Sequence, residues 1–223
     1  MEERHMQNPW ALLPGKEPFV LKDDKPVIDR FNSRAGKDKK IHLEVPPSPY
    51  SGSPKSRVVV LSLNPGFDPR DYESYVQNRA YMNAHRKMLL HKAQEYPFIH
   101  FNPRFSESPG FDYYRKKLGW LIDKYGLKTI SNEILWIQYF PYPSKEYGPL
   151  NQVLESQKYS FNLVHLAMER HATIVVMRNE KGWLRVVPEL VKYKFYKLNS
   201  PRAGSLSPGN SPLAIKAIQK LLG

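Results

Sequence analysis

The stretch RVVVLSLNPGF, residues 57–67, holds the strongest strand signal of the chain and the turn that follows it. RVVVLSL (57–63) is a continuous apolar run rich in β-branched residues, which is typical of a strand covered on both faces. Asn64, Pro65 and Gly66 then make a favourable turn in their own right. A turn with no further role is therefore the simplest interpretation of these three residues.

Three later segments repeat the strand pattern: ILWIQYF (134–140), ATIVVMR (172–178) and the weaker KFYKL (194–198). Helical patterns lie between and after them, at 68–94, 110–126, 152–170 and 213–222. Strands that alternate with helices of this length indicate crossover connections between parallel strands. We therefore predict an α/β fold, a three-layer α/β/α sandwich with a central, mostly parallel sheet of about four strands.

The first quarter of the chain differs from the rest because it is rich in proline and has no clear periodicity. Its last part, VPPSPYSGSP (45–54), has the composition of a surface connection. We predict an irregular N-terminal extension over 1–56 and one α/β domain over 57–223.

Composition limits the classes of protein that fit. With 223 residues, 41% of them hydrophobic, the chain is large enough to bury a core. It has neither an apolar run of membrane-spanning length nor a signal peptide in MEERHMQNPW, so a cytoplasmic protein without a membrane partner is expected. We expect a monomer.

The sequence contains no cysteine, which excludes disulfides, thiolate zinc sites and cysteine-bound clusters. The seven histidines do not have metal-ligand spacing; His85 and His91, for example, are six residues apart on a predicted helix. There is also no Gly-x-Ser-x-Gly elbow for a serine nucleophile. No metal and no cofactor are predicted.

The charge balance points to a partner. Lysine and arginine exceed aspartate and glutamate by 13, and the isoelectric point is near 9.7. An excess of this size favours a polyanionic partner, with nucleic acid first.

Ligands of open parallel sheets bind outside the carboxyl ends of the strands. Asn64 and Gly66 follow the first strand, and Gln138 lies inside the second strand near its end, where a buried amide requires a partner, structural or ligand. The Ser-, Pro- and Gly-rich segment 197–212 follows the last strand. The turn lacks the Gly-Lys-Ser/Thr of a phosphate loop and the glycine spacing of a dinucleotide site, so a different ligand is predicted.

In the segments that follow its strands, the chain resembles the uracil-DNA glycosylase superfamily. LSLNPG (61–66) is similar to the Gly-x-Asn-Pro-Gly motif of the mismatch-specific and single-strand-selective branches, with Ser62 or Leu63 where the family has glycine. Asn199, Ser200, Pro201 and Arg202 stand where the family's His-Pro-Ser-Pro motif follows the last strand.

The resemblance implies a role for each candidate residue. Catalysis is assigned to Asn64, which positions a water, and to Asn199, which donates a hydrogen bond to the base. Substrate binding is assigned to Leu63, Pro65, Gly66, Phe67, Phe98 and Gln138. Among these, Phe98 would stack on the extruded base, with Phe101 as the alternative, and Gln138 would read its edge.

The loop after the last strand is predicted to contact DNA through Ser200, Arg202, Ser205 and Leu206. Arg202 or Leu206 would wedge into the gap left by the flipped base, and the serines would contact phosphates. The predicted activity is excision of uracil or a related damaged base by hydrolysis of the N-glycosidic bond, a step of DNA repair.

Two alternatives stay open. One is a weak or inactive member of the fold that binds nucleic acid, because asparagine replaces both the family's motif aspartate and its motif histidine. The other is a nucleoside or nucleotide hydrolase that uses the same strand-end site.

Overall fold

A five-stranded sheet forms the centre of the molecule. The computed structural model describes residues 6–223. The strands are β1 (Tyr50–Ser51), β2 (Val58–Ser62), β3 (Ile134–Gln138), β4 (Thr173–Val176) and β5 (Phe195–Lys197), in the order β1-β3-β2-β4-β5. β1 is antiparallel to β3, and all other neighbours are parallel. The predicted mostly parallel sheet is confirmed, with the short edge strand β1 added to it.

Seven α-helices accompany the sheet in the described part of the chain. They are α1 (Lys25–Asn32), α2 (Arg79–Leu89), α3 (Pro109–Tyr125), α4 (Leu127–Glu133), α5 (Glu155–Glu169), α6 (Glu180–Val186) and α7 (Pro212–Leu222). A π-helical turn spans Tyr72–Val76. Within residues 6–223, no helix combines the length and the apolar character that a membrane crossing needs.

Alternate side chains of each strand enter two different cores. Val59 and Leu61 of β2 pack with residues of α2, α5 and α6, whereas Val58 and Val60 pack with residues of α3, α4 and α7. A strand that is apolar on both faces has this arrangement because side chains alternate across the sheet. The three-layer α/β/α sandwich is thus confirmed.

The single helix predicted over 68–94 is replaced by two shorter pieces. The π-helical turn ends at Val76, and α2 begins after Asn78, whose side-chain oxygen accepts a hydrogen bond from the Tyr81 amide at 3.0 Å. Asparagine at this capping position starts a new helix rather than continuing the old one. α2 then ends at Leu89, and His91 has a positive φ of 53°.

The N-terminal segment is more ordered than its prolines predicted. It contributes α1, where Pro26 occupies the first turn, and the edge strand β1. Trp10 and Ile28 are buried in the same core as α2 and α5. The buried Asp24 accepts a hydrogen bond from the hydroxyl of Tyr142 at 2.8 Å, so this segment is tied to the chain beyond β3.

Candidate active site

The chain segments that leave β2 and β3 stay together beyond the sheet. Ser62 and Gln138 are paired at the ends of the two strands. The amide of Phe140 donates to the carbonyl of Leu63 at 2.7 Å, and the amide of Ser144 donates to the carbonyl of Pro65 at 3.3 Å. These bonds fix the Asn-Pro-Gly turn against the loop that follows β3.

A cavity of about 240 Å³ opens beside this turn, at the carboxyl ends of β2 and β3. Its walls come from several distant parts of the sequence. The turn and the loop after it supply Pro65, Gly66, Phe67, Asp68 and Asp71. Tyr75, Tyr81, His85, His100, Tyr113 and Tyr114 supply rings, Gln138 supplies an amide, and Val45, Pro46 and Ser48 come from the N-terminal segment. The cavity is therefore mainly aromatic with a few polar groups.

Gln138 places an amide in the cavity wall. Its side chain is 1% exposed, and its Oε1 atom has no hydrogen-bond partner among the described residues. An unsatisfied buried acceptor is costly, typically about 1–3 kcal/mol. A ligand that donates a hydrogen bond to Oε1 would remove this cost.

Two carboxylates lie near the turn in different environments. Asp68 is half-buried and pairs with Arg70, whose Nε is 3.0 Å away and whose hydrogen bond lowers the pKa of Asp68. Asp71 is buried, and burial raises its pKa to about 6, although it accepts a hydrogen bond from the Asp68 amide at 2.8 Å. Asp71 is thus the group of the cavity wall that exchanges a proton close to neutral pH.

Two buried histidines are neutral at physiological pH. Burial lowers the pKa of His85 to about 4 and that of His100 to about 3. His85 contacts the carbonyl of Pro47 through Nε2 at 2.9 Å, whereas Nδ1 of His100 has no partner among the described residues. A Cβ on Gly110 would collide with the His100 ring and with the hydroxyl of Tyr75. Glycine at the start of α3 therefore lets both groups approach the cavity.

Phe67 forms a flat part of the wall. Its ring lies parallel to that of His42, with an interplanar angle of 2° and 3.4 Å between centroids. His42 in turn contacts Glu44, with Nδ1 2.6 Å from the carboxylate. The histidine covers one face of Phe67 and holds the orientation of the ring.

Four of the six predicted substrate-binding residues lie together in the cavity wall: Pro65, Gly66, Phe67 and Gln138. Leu63 and Asn64 are half-buried beside it and do not line it. The amide nitrogen of Asn64 donates to the carbonyl of Pro65 at 2.8 Å and to the hydroxyl of Ser144 at 3.0 Å. This side chain therefore stabilises the turn, and the water-positioning role predicted for it has no support in these contacts.

The prediction that Phe98 stacks on a ligand does not fit the structure. Phe98 is fully buried, with its ring 4.6 Å from that of Phe101 and 4.8 Å from that of Tyr114. It belongs to the core beneath α3 and does not line the cavity. Phe101, the alternative, is equally buried.

The loop after β5 does not reach the cavity. Asn199, Ser200 and Arg202 are exposed and Ser205 is half-buried, and none of them lines the cavity. The Nδ2 atom of Asn199 donates instead to the carbonyl of Gly209, within the same loop, at 3.4 Å.

Leu206 has a different position from the one predicted. It is fully buried in the core formed with α3 and α7, and its amide donates to the carbonyl of Lys117 at 2.8 Å. A residue buried in this way cannot wedge into a DNA duplex, so this prediction is corrected.

The sequence did not predict most of the other residues that line the cavity. Asp71 and Tyr75 lay in a region predicted as continuous helix, and Ser48 in a segment predicted as an extension. The pair Tyr113 and Tyr114 near the start of α3 was the one available signal, because adjacent side chains of a helix point in different directions and one of the two rings could therefore leave the core.

Within residues 6–223, no group of three or more histidine, aspartate or glutamate side chains could hold a metal ion. Comparison with known proteins adds no assignment: no family model, no curated protein and no solved structure matches this chain.

Proposed function

We propose that this protein excises uracil or a related damaged base from DNA by hydrolysing the N-glycosidic bond. The observation that carries the proposal is the unpaired, buried Oε1 of Gln138, a residue that lines an aromatic cavity at the carboxyl ends of β2 and β3. The excess of 13 basic residues supports a nucleic-acid substrate.

The size and lining of the cavity favour a flat ring. Its volume of about 240 Å³ lies below the roughly 300–1,000 Å³ of sites for drug-sized ligands. Phe67 offers a flat face that His42 already supports from behind. A single base, flipped out of its stack, fits a small aromatic site of this kind.

The Gln138 amide supplies the hydrogen-bond pattern. Its oxygen accepts and its nitrogen donates, which complements the adjacent N3–H and O4 of uracil. Burial makes this recognition selective, because a base without the matching donor leaves Oε1 unsatisfied.

Asp71 is the candidate general base. In the proposed reaction the oxygen of a water bonds to C1′ of the sugar while the C1′–N bond breaks and its electron pair leaves with the base. The water proton passes to the Asp71 carboxylate, and the departing base takes up a proton from the surrounding solvent. A pKa of about 6 leaves Asp71 ionised at neutral pH and still able to accept a proton.

The test is single-turnover base release from oligonucleotides with one uracil, paired with guanine, paired with adenine or unpaired. We expect release by the wild type, a loss of about 100-fold or more for Gln138→Leu and a loss of about 100-fold to 10,000-fold for Asp71→Asn. The wild-type rate should rise with pH and level off above about pH 6.

Two matched controls sharpen this test. Gln152→Leu changes an exposed glutamine, and Asp123→Asn changes an exposed carboxylate at the far end of α3. Both should release base at the wild-type rate. Absence of release by the wild type from all three substrates would contradict the proposal.

A second candidate is base binding without excision. It is favoured by Asn64, whose amide is engaged by Pro65 and Ser144 and is not directed to the cavity. Uracil-dependent binding that Gln138→Leu abolishes, with no base release at any pH, would select this candidate.

A further inference from the structure

Two cationic side chains meet at one turn near the cavity. A Cβ placed on Gly204 would lie 3.0 Å from Nζ of Lys117 and 3.4 Å from Nη2 of Arg178. Gly204 has a positive φ of 56°, and its missing side chain leaves the space in which both charges converge. Nζ of Lys117 also donates to the carbonyl of Ala203 at 3.4 Å.

No acidic group balances this pair. Among the described residues, neither Lys117 nor Arg178 has a carboxylate oxygen within 4.0 Å. Both side chains are half-buried, and burial together with the charges of Arg178 and Lys116 lowers the pKa of Lys117. Two like charges held close together at half-buried positions are unfavourable, so a bound anion would stabilise this arrangement.

The pair lies on the same edge of the molecule as the cavity. Arg178 follows β4, the strand next to β2, at its carboxyl end. Nζ of Lys117 lies 5.3 Å from the centroid of the Tyr113 ring, and Tyr113 lines the cavity. One exposed aromatic side chain thus separates the base site from the two charges.

We propose that Lys117 and Arg178 bind a backbone phosphate of the nucleic acid, adjacent to the nucleotide whose base enters the cavity. This inference rests on the proposed function and adds the contact that holds the strand. Arginine presents a planar fork to phosphate oxygens and lysine adds a point charge, which is a common division of roles at phosphate sites. The turn that contains Ala203 and Gly204 lies against the side chains of Lys117 and Arg178.

The test is a salt titration of oligonucleotide binding. A labelled single strand without uracil is titrated by fluorescence anisotropy at several salt concentrations with the wild type, Lys117→Gln and Arg178→Ala. Each variant should bind more weakly, and the slope of log K against log salt should fall by about 0.7–1 for each lost phosphate contact.

Lys55→Ala is the matched control, since Lys55 is exposed and lies at the amino end of β2, whereas the cavity lies at the carboxyl end. This variant should keep the wild-type slope. Thermal melting of every variant checks that it is folded. Slopes for Lys117→Gln and Arg178→Ala that equal the wild-type slope would overturn the inference.

Two further measurements separate the possible failures. Uridine 5′-monophosphate is titrated in parallel, and weaker nucleotide binding with an unchanged oligonucleotide slope would overturn the assignment to a nucleic-acid phosphate. Base release is measured separately at saturating enzyme. If the two variants have a reduced salt slope but the wild type releases no base, the phosphate site is supported and excision is rejected. If the wild type releases base but the salt slopes of the variants are unchanged, excision is supported and the phosphate site is rejected.

Discussion

Asp71 shows how burial shifts the pKa of a single residue. Its neighbour Asp68 keeps an ion pair with Arg70, whereas Asp71 loses solvent and gains one backbone hydrogen bond. The result is a carboxyl group with a pKa of about 6, in a cavity whose two histidines stay neutral. Sites often separate the pKa values of neighbouring groups in this way.

Asp71→Asn should stabilise the protein at neutral pH. The pKa of Asp71 is higher in the folded chain, about 6, than the ordinary value of 3.8, so ionisation costs folding free energy as pH rises from about 4 to 6. Above that range we expect the variant to gain about 1–3 kcal/mol in free energy of unfolding. At pH 4 and below the gain should vanish.

Urea denaturation at pH 4.0 and pH 7.5 measures this difference. Asp123→Asn serves as the control, because its carboxylate is exposed, and it should show no comparable gain at pH 7.5. Destabilisation of Asp71→Asn at pH 7.5 would show that the ionised carboxylate stabilises the fold.

At the scale of elements, the loops after the strands have different roles. The loop after β2 and the loop after β3 are hydrogen-bonded to each other and build the cavity. The loop after β5 closes on itself through Asn210, whose side chain contacts Ser200 and Ser205, and it anchors in the core through Leu206. Its surface is thereby held beside Lys117 and Arg178.

Leu206→Ala should reduce stability substantially. Truncating a fully buried leucine leaves a cavity and typically costs about 2–5 kcal/mol. Leu213→Ala is the matched control, because Leu213 in α7 is 70% exposed, and its effect should stay within about 0.5 kcal/mol. Urea denaturation of both variants gives the comparison. A loss below about 1 kcal/mol for Leu206→Ala, together with weaker DNA binding, would restore the wedge role predicted from sequence.

At the scale of the whole molecule, the N-terminal segment is part of the packing. Trp10, Phe19 and Ile28 are at most 2% exposed, and the hydroxyl of Tyr50 donates to the carbonyl of Leu89 at 2.6 Å. The same segment supplies Ser48 and other residues to the cavity wall. Fold and site therefore both use this segment.

A chain limited to residues 57–223 should not fold cooperatively. The deletion removes the edge strand β1 and exposes apolar surface that Trp10 and Ile28 cover in the full chain. We expect the loss of this packing to exceed the roughly 5–15 kcal/mol by which typical domains are stable. Thermal melting followed by near-ultraviolet circular dichroism tests this against the full chain. A cooperative transition near the melting temperature of the full chain would show that residues 57–223 are an independent domain.

Local pattern in the sequence determined the layer architecture. The continuous apolar runs of β2, β3 and β4 require cover on both faces, and the helices between them can only provide it from both sides of a parallel sheet. The position of Gln138 near a strand end also followed, because strand ends of such sheets meet at one edge.

Tertiary structure alone decided which side chains face the cavity. Phe98 and Phe67 are both aromatic residues near loops, yet the first is buried in the core and the second lines the wall. The conformation of the turn depends on a bond between Asn64 and Ser144, which are 80 residues apart. Periodicity identifies a buried face, but it carries no information on which distant loop packs there, so the site emerges only when the chain is folded.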